Sequence, residues 1–473
     1  MNKFLSLLVA AVVLTTSCRK IEEDVTVIGG NNGGTDSTAE NTILEGKISS
    51  DRTLKANYTY KLRGIVYVVN GAKLTIEPGT VIQGEKGTNS RGTLVITKGC
   101  QIIADATKDN PIVFTSDQAN PARGDWGGIV ILGNAKTNAS YNGVAGVGSV
   151  EGGVNNAEGL GLYGGTNDAD NSGTLRYVRI EYAGYAYLPD NELNGLTLAG
   201  VGNATTIDYV EIFKANDDAI ECFGGSVNLK HTIFISTLDD DFDTDNGWSG
   251  KVQWGIVMRD SSVADISKSE SFESDNDANG SSLLPQTSGV YSNITVIGPR
   301  ATTANIGNSL FLAGAQIRRN STISIFNSVI MGYPTGLLID ASKGTPTDNN
   351  IAAGTLFVQH TTIAGCATPV SYSESTSSPT GWKSESAALW FATTEYGNSI
   401  LAANDDVKLA APYNYSSPDF TPQDGSPLLT GADFTNSKLA SGFTPTSYRG
   451  AVGPVGSADA DWWKGWSKLN LSL

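Results

Sequence analysis

The sequence predicts an all-β fold: a single-stranded parallel β-helix, expected to be right-handed, with lateral loops. Alternating apolar pairs recur at one constant spacing, at Val210/Ile212, Ile233/Ile235 and Ile256/Met258. Acidic clusters recur with the same spacing, at Asp217-Asp218 and Asp240-Asp241, and glycines such as Gly247 follow them. A fixed period in the twenties, with short β-branched strands and glycine corners, is typical of a solenoid in which each repeat forms one coil.

Length and charge narrow the classes of function. The chain has 473 residues and a formal net charge of -16. Each coil of a solenoid packs only on its neighbours, so a chain of this length does not have to divide into several domains. Lys and Arg form no cluster that could neutralise a run of phosphates, and we therefore expect no nucleic-acid partner. The two histidines, His231 and His360, are too few for a histidine-built metal site.

The first residues predict a bacterial export signal. Lys3 precedes an apolar run that ends at Leu14 and is too short to span a membrane as a helix. The residues from Leu14 to Cys18 resemble a lipobox, which implies a lipoprotein signal peptide over residues 1–17 and a membrane anchor through lipid on Cys18. The alternative is an ordinary secretory signal. Residues 18–42 are rich in Gly, Asn, Thr and acids and predict a flexible tether.

The β-helix is predicted to cover residues 43–455, with one long lateral excursion over the Gly- and Asn-rich residues 135–173. A loop of that length in a compact fold is usually functional or disordered. Residues 456–473 follow as a Trp-rich segment, which we expect to cap the last coil because a solenoid needs its terminal coil covered. As an alternative, Trp462, Trp463 and Trp466 could form a platform on which sugar rings stack.

The strongest candidate site is the acidic run DDDFDTDNG, which begins at Asp239. Alternate residues of an extended strand share a face, so the alternate aspartates from Asp239 to Asp245 are expected to point together, with Asp218 beside Asp241 from the preceding coil. Calcium takes about six to eight oxygen ligands, which such a cluster can supply. The predicted calcium ligands are Asp218, Asp239, Asp241, Asp243, Asp245, Glu273, Asp275 and Asp277. The alternative is an acidic turn that faces solvent.

Several phrases of the sequence are shared with one family: LTIEPGTVIQG, PIVFTS, GDWGGIVILGNA and LRYVRIEYAG. Through these segments the chain resembles Bacteroidetes β-helix surface proteins, many of which carry a lipoprotein signal and have no assigned activity. The resemblance covers roughly residues 60–300 and the tail from Tyr448 to Trp466. It implies a β-helix that is lipid-anchored in the outer membrane. Glu22-Glu23-Asp24, close behind Cys18, resemble surface-export signals and imply exposure at the cell surface.

For the molecular role we expect a calcium-braced β-helix that binds a glycan or a protein partner, because long stacked coils present an extended flat face. The first alternative is a calcium-dependent polysaccharide lyase or hydrolase. Asn216-Asp217-Asp218 is similar to the paired aspartates of polygalacturonases, and carboxylates on adjacent coils could act as general acid and base. The Gly-His-Gly and Arg-Ile-Lys sequences of that pattern are absent. The second alternative is an accessory subunit of an outer-membrane β-barrel complex.

Overall fold

The computed structural model describes residues 40–87, 91–188, 191–300 and 307–471. The predicted signal peptide, Cys18 and nearly all of the predicted tether lie outside these residues. Residues Thr42–Leu473 form one compact unit. Most of its strands join one large parallel sheet in which each strand pairs with the equivalent strand of the neighbouring coils. The predicted all-β parallel β-helix is therefore confirmed.

Short strands dominate the described chain. In chain order they are β1 Ile43–Ile48, β2 Arg52–Leu54, β3 Thr59–Val68, β4 Lys73–Ile76, β5 Val81–Gly84, β6 Thr93–Ile96, β7 Gln101–Asp105, β8 Ile112–Ser116, β9 Gly128–Leu132, β10 Ser140–Tyr141, β11 Val144–Ala145, β12 Gly148–Ser149, β13 Leu162–Tyr163, β14 Gly173–Glu181, β15 Ala186–Leu188, β16 Asn191–Glu192, β17 Leu196–Ala199, β18 Thr206–Phe213, β19 Ile220–Phe223, β20 Asn228–Ile235, β21 Phe242–Asp245, β22 Lys251–Met258, β23 Phe272–Ser274, β24 Val290–Ile297, β25 Ala313–Ile317, β26 Ser324–Phe326, β27 Val329–Met331, β28 Thr335–Asp340, β29 Val358–Gln359, β30 Thr362–Ala364, β31 Thr368–Ser373, β32 Ser399–Leu401, β33 Leu409–Ala411 and β34 Asp419–Pro422. The helices are α1 Asp348–Ala352 and α2 Ser384–Phe391, and the 3-10 turns are Thr394–Tyr396, Asn404–Val407, Pro427–Leu429 and Ser437–Leu439.

Each coil contributes to three parallel faces. Face 1 contains β2, β4, β7, the first halves of β14, β18, β20, β22 and β24, then β26 and β29. Face 2 contains the first half of β3, then β5, β8, the second halves of those five long strands, β27, β30 and β32. Face 3 contains the end of β3, then β6, β9, β17, β19, β21, β23, β25, β28 and β31.

A bend in the long strands separates face 1 from face 2, and one residue in each coil forms it. Tyr177, Tyr209, His231, Trp254 and Asn293 occupy this position with φ between 49° and 62°, the left-handed region that non-glycine residues rarely adopt. The rings of Tyr177 and Tyr209 stack with centroids 4.3 Å apart, those of Tyr209 and His231 4.1 Å apart, and those of His231 and Trp254 4.7 Å apart. The bend therefore carries an aromatic ladder along the axis.

The register of the coils corrects one detail of the predicted repeat. Val210 pairs with Thr232, one position before Ile233, whereas Ile233 pairs with Ile256 itself. Val210 therefore packs in the interior core, while Ile233 and Ile256 belong to a second apolar cluster on the outer surface of face 2. The apolar pairs that looked equivalent in the sequence point to opposite sides of the sheet, because a shift of one position reverses the direction of every side chain.

Residues 404–471, here called the C-terminal strap, cover that outer surface. Val452, Trp462, Trp463 and Trp466 of the strap pack in one cluster with the outward-facing apolar residues of β20 and β22. The Trp-rich segment that we expected to cap the last coil thus lies along the side of earlier coils. At the end of the stack, α2 buries Ala387 and Phe391 in the interior core and packs against β31.

The predicted lateral excursion over residues 135–173 is present and covers the first part of face 3. It contains the short hairpin strands β10 to β13. Its residues Val150, Val154 and Tyr163 pack on the outward-facing Val95 and Val130, so the early coils are apolar on both sides of face 3. Among the residues with described positions, no helix is long and apolar enough to span a membrane.

Candidate functional site

The candidate site lies on the outer surface of face 3, next to the region that the lateral excursion covers, where Tyr163 of the excursion contacts Phe223 of β19. In β19, β21 and β23, the apolar residues Ile220, Phe242 and Phe272 point into the core and stack in register. Alternation then places the next residue of each strand on the outside. These residues are Glu221, Asp243 and Glu273, which pair in the same register. Stacked coils thus place carboxylate over carboxylate.

A second acidic row lies at the corner before these strands. Ile220 pairs with Phe242, so Asp218 lies beside Asp240 and not beside Asp241 as the sequence spacing had suggested. The backbone N–H of Asp240 donates to Oδ1 of Asp218 at 2.8 Å. In the next coil, the backbone N–H of Glu270 donates to Oδ1 of Asp240 at 2.6 Å. These bonds fix the side chains of Asp218 and Asp240, each against the backbone of the next coil.

Seven carboxylates make up what is called here the acidic cluster: Asp217, Asp218, Glu221, Asp239, Asp240, Asp243 and Glu270. They fall into three overlapping groups, and in each group the ligand oxygens lie within 4.8 Å of one another. The groups are Asp217 with Asp218 and Asp239, Asp218 with Glu221 and Asp243, and Asp239 with Asp240 and Glu270. Because each group shares a member with another, the carboxylates are continuous across the coils.

Glu270 is the most informative member of the acidic cluster. It is 1% exposed. Neither of its carboxylate oxygens has a hydrogen-bond donor among the described residues, although both are shielded from solvent. A buried carboxylate without donors is costly unless a cation or a shared proton compensates it. Asp239 also leaves Oδ1 buried without a donor in the described part of the chain. The group formed by Asp239, Asp240 and Glu270 therefore fits a bound cation.

The electrostatics of the cluster agree with this need for compensation. Burial raises the pKa of Asp239 to about 8, of Glu270 to about 7 and of Asp243 to about 6. Burial first, and neighbouring carboxylates second, also raise the pKa of Asp218 and Asp240 well above the ordinary range. Like charges this close cannot all ionise comfortably without a positive partner. At neutral pH the cluster is therefore expected to hold protons or to bind a cation.

Three of the predicted calcium ligands form ion pairs with arginines instead. Asp241 is fully buried and accepts from Arg259 at 3.0 Å and from Ser271 at 2.8 Å. The prediction that Asp241 shares a face with its alternate neighbours is therefore wrong, because β21 starts only at Phe242 and Asp241 lies in the corner before it. Arg318 forms ion pairs with Glu273 and Asp275, and Arg319 also pairs with Asp275.

The last two predicted ligands lie apart from the acidic cluster. Asp245 accepts from the backbone and the side chain of Asn246 at 2.5 and 3.0 Å. Asp277 accepts from the side chain of Ser281 at 2.6 Å and from the backbone of Asn279. Of the eight predicted ligands, the structure thus brings Asp218, Asp239 and Asp243 into the groups that could hold a metal ion.

The sequence contains a signal that would have found Glu221 and Glu270. The segments DAIE at Asp218, DDFD at Asp240 and ESFE at Glu270 share one pattern: an acid, a variable residue, a buried apolar residue and an acid. The second interval between copies is longer than the first, because an excursion precedes β23. A search for a fixed period misses the third copy. The structure aligns all three.

The three strap tryptophans do not form an open platform. Trp462, Trp463 and Trp466 are 7%, 3% and 1% exposed. Trp466 meets Tyr177 and Tyr209 edge to face, and Trp462 meets Tyr209 and His231 in a similar way. Trp463 instead meets Phe420 within the strap. All three rings are buried inside the protein and are not available to a sugar in this structure.

Comparison with known proteins agrees with this architecture. The chain matches the family model of the pectate-lyase-like β-helix domain over residues 46–404. The chain belongs to that family. The comparisons with curated proteins and with solved structures gave no significant match. A pectate-lyase-like β-helix domain is compatible with a polysaccharide-binding or a lyase-like role.

Proposed function

We propose that this protein is a surface-exposed outer-membrane lipoprotein whose pectate-lyase-like β-helix binds calcium in the acidic cluster and binds a glycan or a protein partner. The observation that supports the calcium site is Glu270, a buried carboxylate without hydrogen-bond donors in the described chain that lies against Asp239 and Asp240. Calcium is a hard cation that prefers carboxylate oxygens and takes about six to eight of them. Bound calcium would supply the positive charge that the cluster otherwise lacks and would brace neighbouring coils.

The residues proposed to hold the ion are Asp239, Asp240 and Glu270, with Asp217 and Asp218 beside them. Backbone N–H groups fix the side chains of Asp218 and Asp240, so little ordering is needed on binding. Asp241 is excluded from the ligand set because Arg259 already neutralises it. Glu273 and Asp275 are excluded for the same reason, since Arg318 is paired with both.

Metal analysis and thermal melting test the calcium site. Wild-type protein dialysed against calcium should contain bound calcium and should melt several degrees higher than in chelator, since ligand at a hundred times its Kd stabilises by about 2.7 kcal/mol. Glu270→Gln should lose this gain. Asp109→Asn, which removes an equal charge at an exposed position, should keep it. No bound metal together with equal melting in calcium and chelator would contradict the proposal.

The lipid anchor is proposed at Cys18, on the motif described above. A lipidated cysteine with several acyl chains anchors a protein durably, whereas one chain gives only marginal binding. Metabolic labelling with a palmitate analogue should mark the wild-type protein in the membrane fraction and should not mark Cys18→Ser. Protease treatment of whole cells would then test surface exposure. Equal labelling of both proteins would argue against the anchor.

The partner is proposed to be a glycan or an outer-membrane β-barrel protein. Stacked coils give a long, rigid surface, which suits an extended ligand. Glycan arrays would show saturable binding without product, and a pulldown from outer-membrane extract would recover a barrel protein. A ligand held at the calcium site should be released by chelator, whereas a ligand held elsewhere should remain bound.

A calcium-dependent lyase or hydrolase is the second candidate, and one observation favours it. Asp240 and Glu270 lie side by side, and burial raises the pKa of both, so one can carry a proton while the other is ionised. A protonated and an ionised carboxylate are the general acid and base of polysaccharide cleavage. Asp217→Asn and Asp240→Asn separate the candidates. A binding protein shows no turnover before or after the change, whereas an enzyme loses cleavage with unchanged melting.

A further inference from the structure

A cleft of about 660 Å³ lies at the corner that leads from face 3 into face 1, and none of the residues of the acidic cluster line it. Pockets of a few hundred cubic ångströms are large enough for small ligands. Val290 and Phe357 contribute apolar surface, and Gln286 and Thr355 contribute an amide and a hydroxyl group. The remaining wall comes from the C-terminal strap, where the 3-10 turn Ser437–Leu439 carries Lys438 into the cleft.

Lys438 is the charged group of this cleft. Its Nζ donates to the backbone carbonyl of Thr322 at 3.3 Å and lies 5.9 Å from the centre of the Phe357 ring. Across the described parts of the chain, no carboxylate forms an ion pair with it, although the protein as a whole is strongly acidic. The ammonium is partly buried, and burial lowers its pKa to about 8. A desolvated cation without an anion gains most from a ligand that supplies one.

Hydrogen bonds within the protein fix the side chains around Lys438 without a ligand. Asn436 accepts from the backbone N–H of Lys438 at 3.0 Å and donates to Oε1 of Gln359 at 3.0 Å, which ties the strap to face 1. Gln286 donates to the backbone carbonyl of Asn320 at 2.6 Å. Thr355 donates to the backbone carbonyl of Asn350 at 3.0 Å. Side chains fixed in this way lose little conformational freedom on binding.

We propose that this cleft binds a carboxylate-bearing ligand about the size of a sugar ring, with the carboxylate on the Lys438 ammonium. One cation matches one negative charge, whereas recognition of a doubly charged phosphate usually employs arginine forks or several donors. The hydroxyl and amide groups of Ser437, Thr355 and Gln286 suit a ligand that also carries hydroxyl groups. The site does not depend on calcium, and it extends the proposed function by a second, metal-independent contact.

Calorimetry in the presence of chelator tests this site apart from the calcium site. Glucuronate and a soluble polyuronate serve as probes, and neutral glucose serves as the control ligand. Wild-type protein should bind a uronate and not glucose, and Lys438→Met should weaken binding at least tenfold. Lys73→Met, which removes an exposed lysine from the same side of the β-helix, should leave binding unchanged. Binding of the free acid would identify a small carboxylate as sufficient, and binding of the polymer alone would identify a uronate within a chain.

A second measurement guards against a misfolded variant. Acetylation of wild-type protein with acetic anhydride, read by peptide mass spectrometry, should show Lys438 protected severalfold by the uronate that binds, while Lys73 is not protected. Absence of uronate binding, or equal binding by wild type and Lys438→Met with no protection of Lys438, would overturn the proposal.

Discussion

Along the coils from Thr206 to Met258, face 2 and face 3 carry different residues on their outer surfaces. On face 2 these residues are mostly apolar and lie beneath the strap, as Ile233 and Ile256 do against the strap tryptophans. The exception is Glu211, which pairs in register with Ile233 and accepts from the backbone N–H of Lys468 in the strap. On face 3 they are acidic, as Glu221 and Asp243 are. Both faces present the same apolar layer to the interior. The difference therefore concerns only what lies outside the sheet.

The comparison shows how to interpret apolar alternation in a solenoid. A strand that is apolar on one side indicates only that this side faces the interior. A strand that is apolar on both sides indicates that another segment also covers its outer side. β20 and β22 are of the second kind, and the strap covers them. β19 and β21 instead place acids on the outer side. Three variants test this contrast, in order of decreasing expected change in stability.

Removal of a strap tryptophan should weaken the packing of the strap on face 2 and lower the free energy of unfolding. Trp466→Ala deletes a buried ring that meets Tyr177 and Tyr209, and such deletions cost about 3–5 kcal/mol. Denaturant unfolding should show this loss. Trp382→Ala removes a half-buried ring near α2 and should cost less. If the two variants lose equal stability, the strap is not a structural cover.

The pH dependence of the acidic side should respond to Glu270→Gln. Burial raises the pKa of Glu270 to about 7 from 4.5, so the metal-free wild type loses stability as the pH rises through this interval. Gln carries no charge, and at pH 8 in chelator the variant should be more stable than wild type by about 3 kcal/mol, at about 1.4 kcal/mol per pKa unit. At pH 4 the difference should vanish. Unfolding curves at both pH values would decide, and a wild type that is the more stable at pH 8 would argue against the raised pKa.

The smallest effect is expected for the charged end of the strap. Lys468 pairs with Glu181 at 3.0 Å and lies 4.8 Å from the ring centre of Tyr182. Lys468→Met keeps most of the apolar contact, so the loss should be about 1 kcal/mol. The loss should shrink in about 1 M salt, which screens charges beyond about 3 Å. A loss as large as that of Trp466→Ala would mean that charge, and not apolar contact, holds the strap.

Local features of the sequence predicted the fold and part of the site. Short β-branched strands with glycine corners were sufficient for the β-helix, and the acidic run at Asp239 marked the coils in which the carboxylates of the acidic cluster come together. The change in register was not predictable, because Ile212 and Ile233 are equally apolar, yet Ile212 packs in the interior core and Ile233 packs beneath the strap. Glu270 was missed because an excursion of variable length precedes β23. Pairing of Asp241 with Arg259 depends on a corner, where strand alternation does not apply.

The position of the strap has a consequence for the order in which the chain is made. Synthesis proceeds from the N-terminus at roughly 5–20 residues per second, and coils complete early can fold early. The outer surface of β20 and β22 is finished by Met258, but Trp462 and Trp466, which cover it, are made only near the end of the chain. For roughly ten seconds or more the nascent chain exposes a continuous apolar strip on paired strands, a surface prone to association. Once the final segment has been made, it can cover this strip, and the molecule no longer depends on chaperones to prevent its association with other unfinished chains.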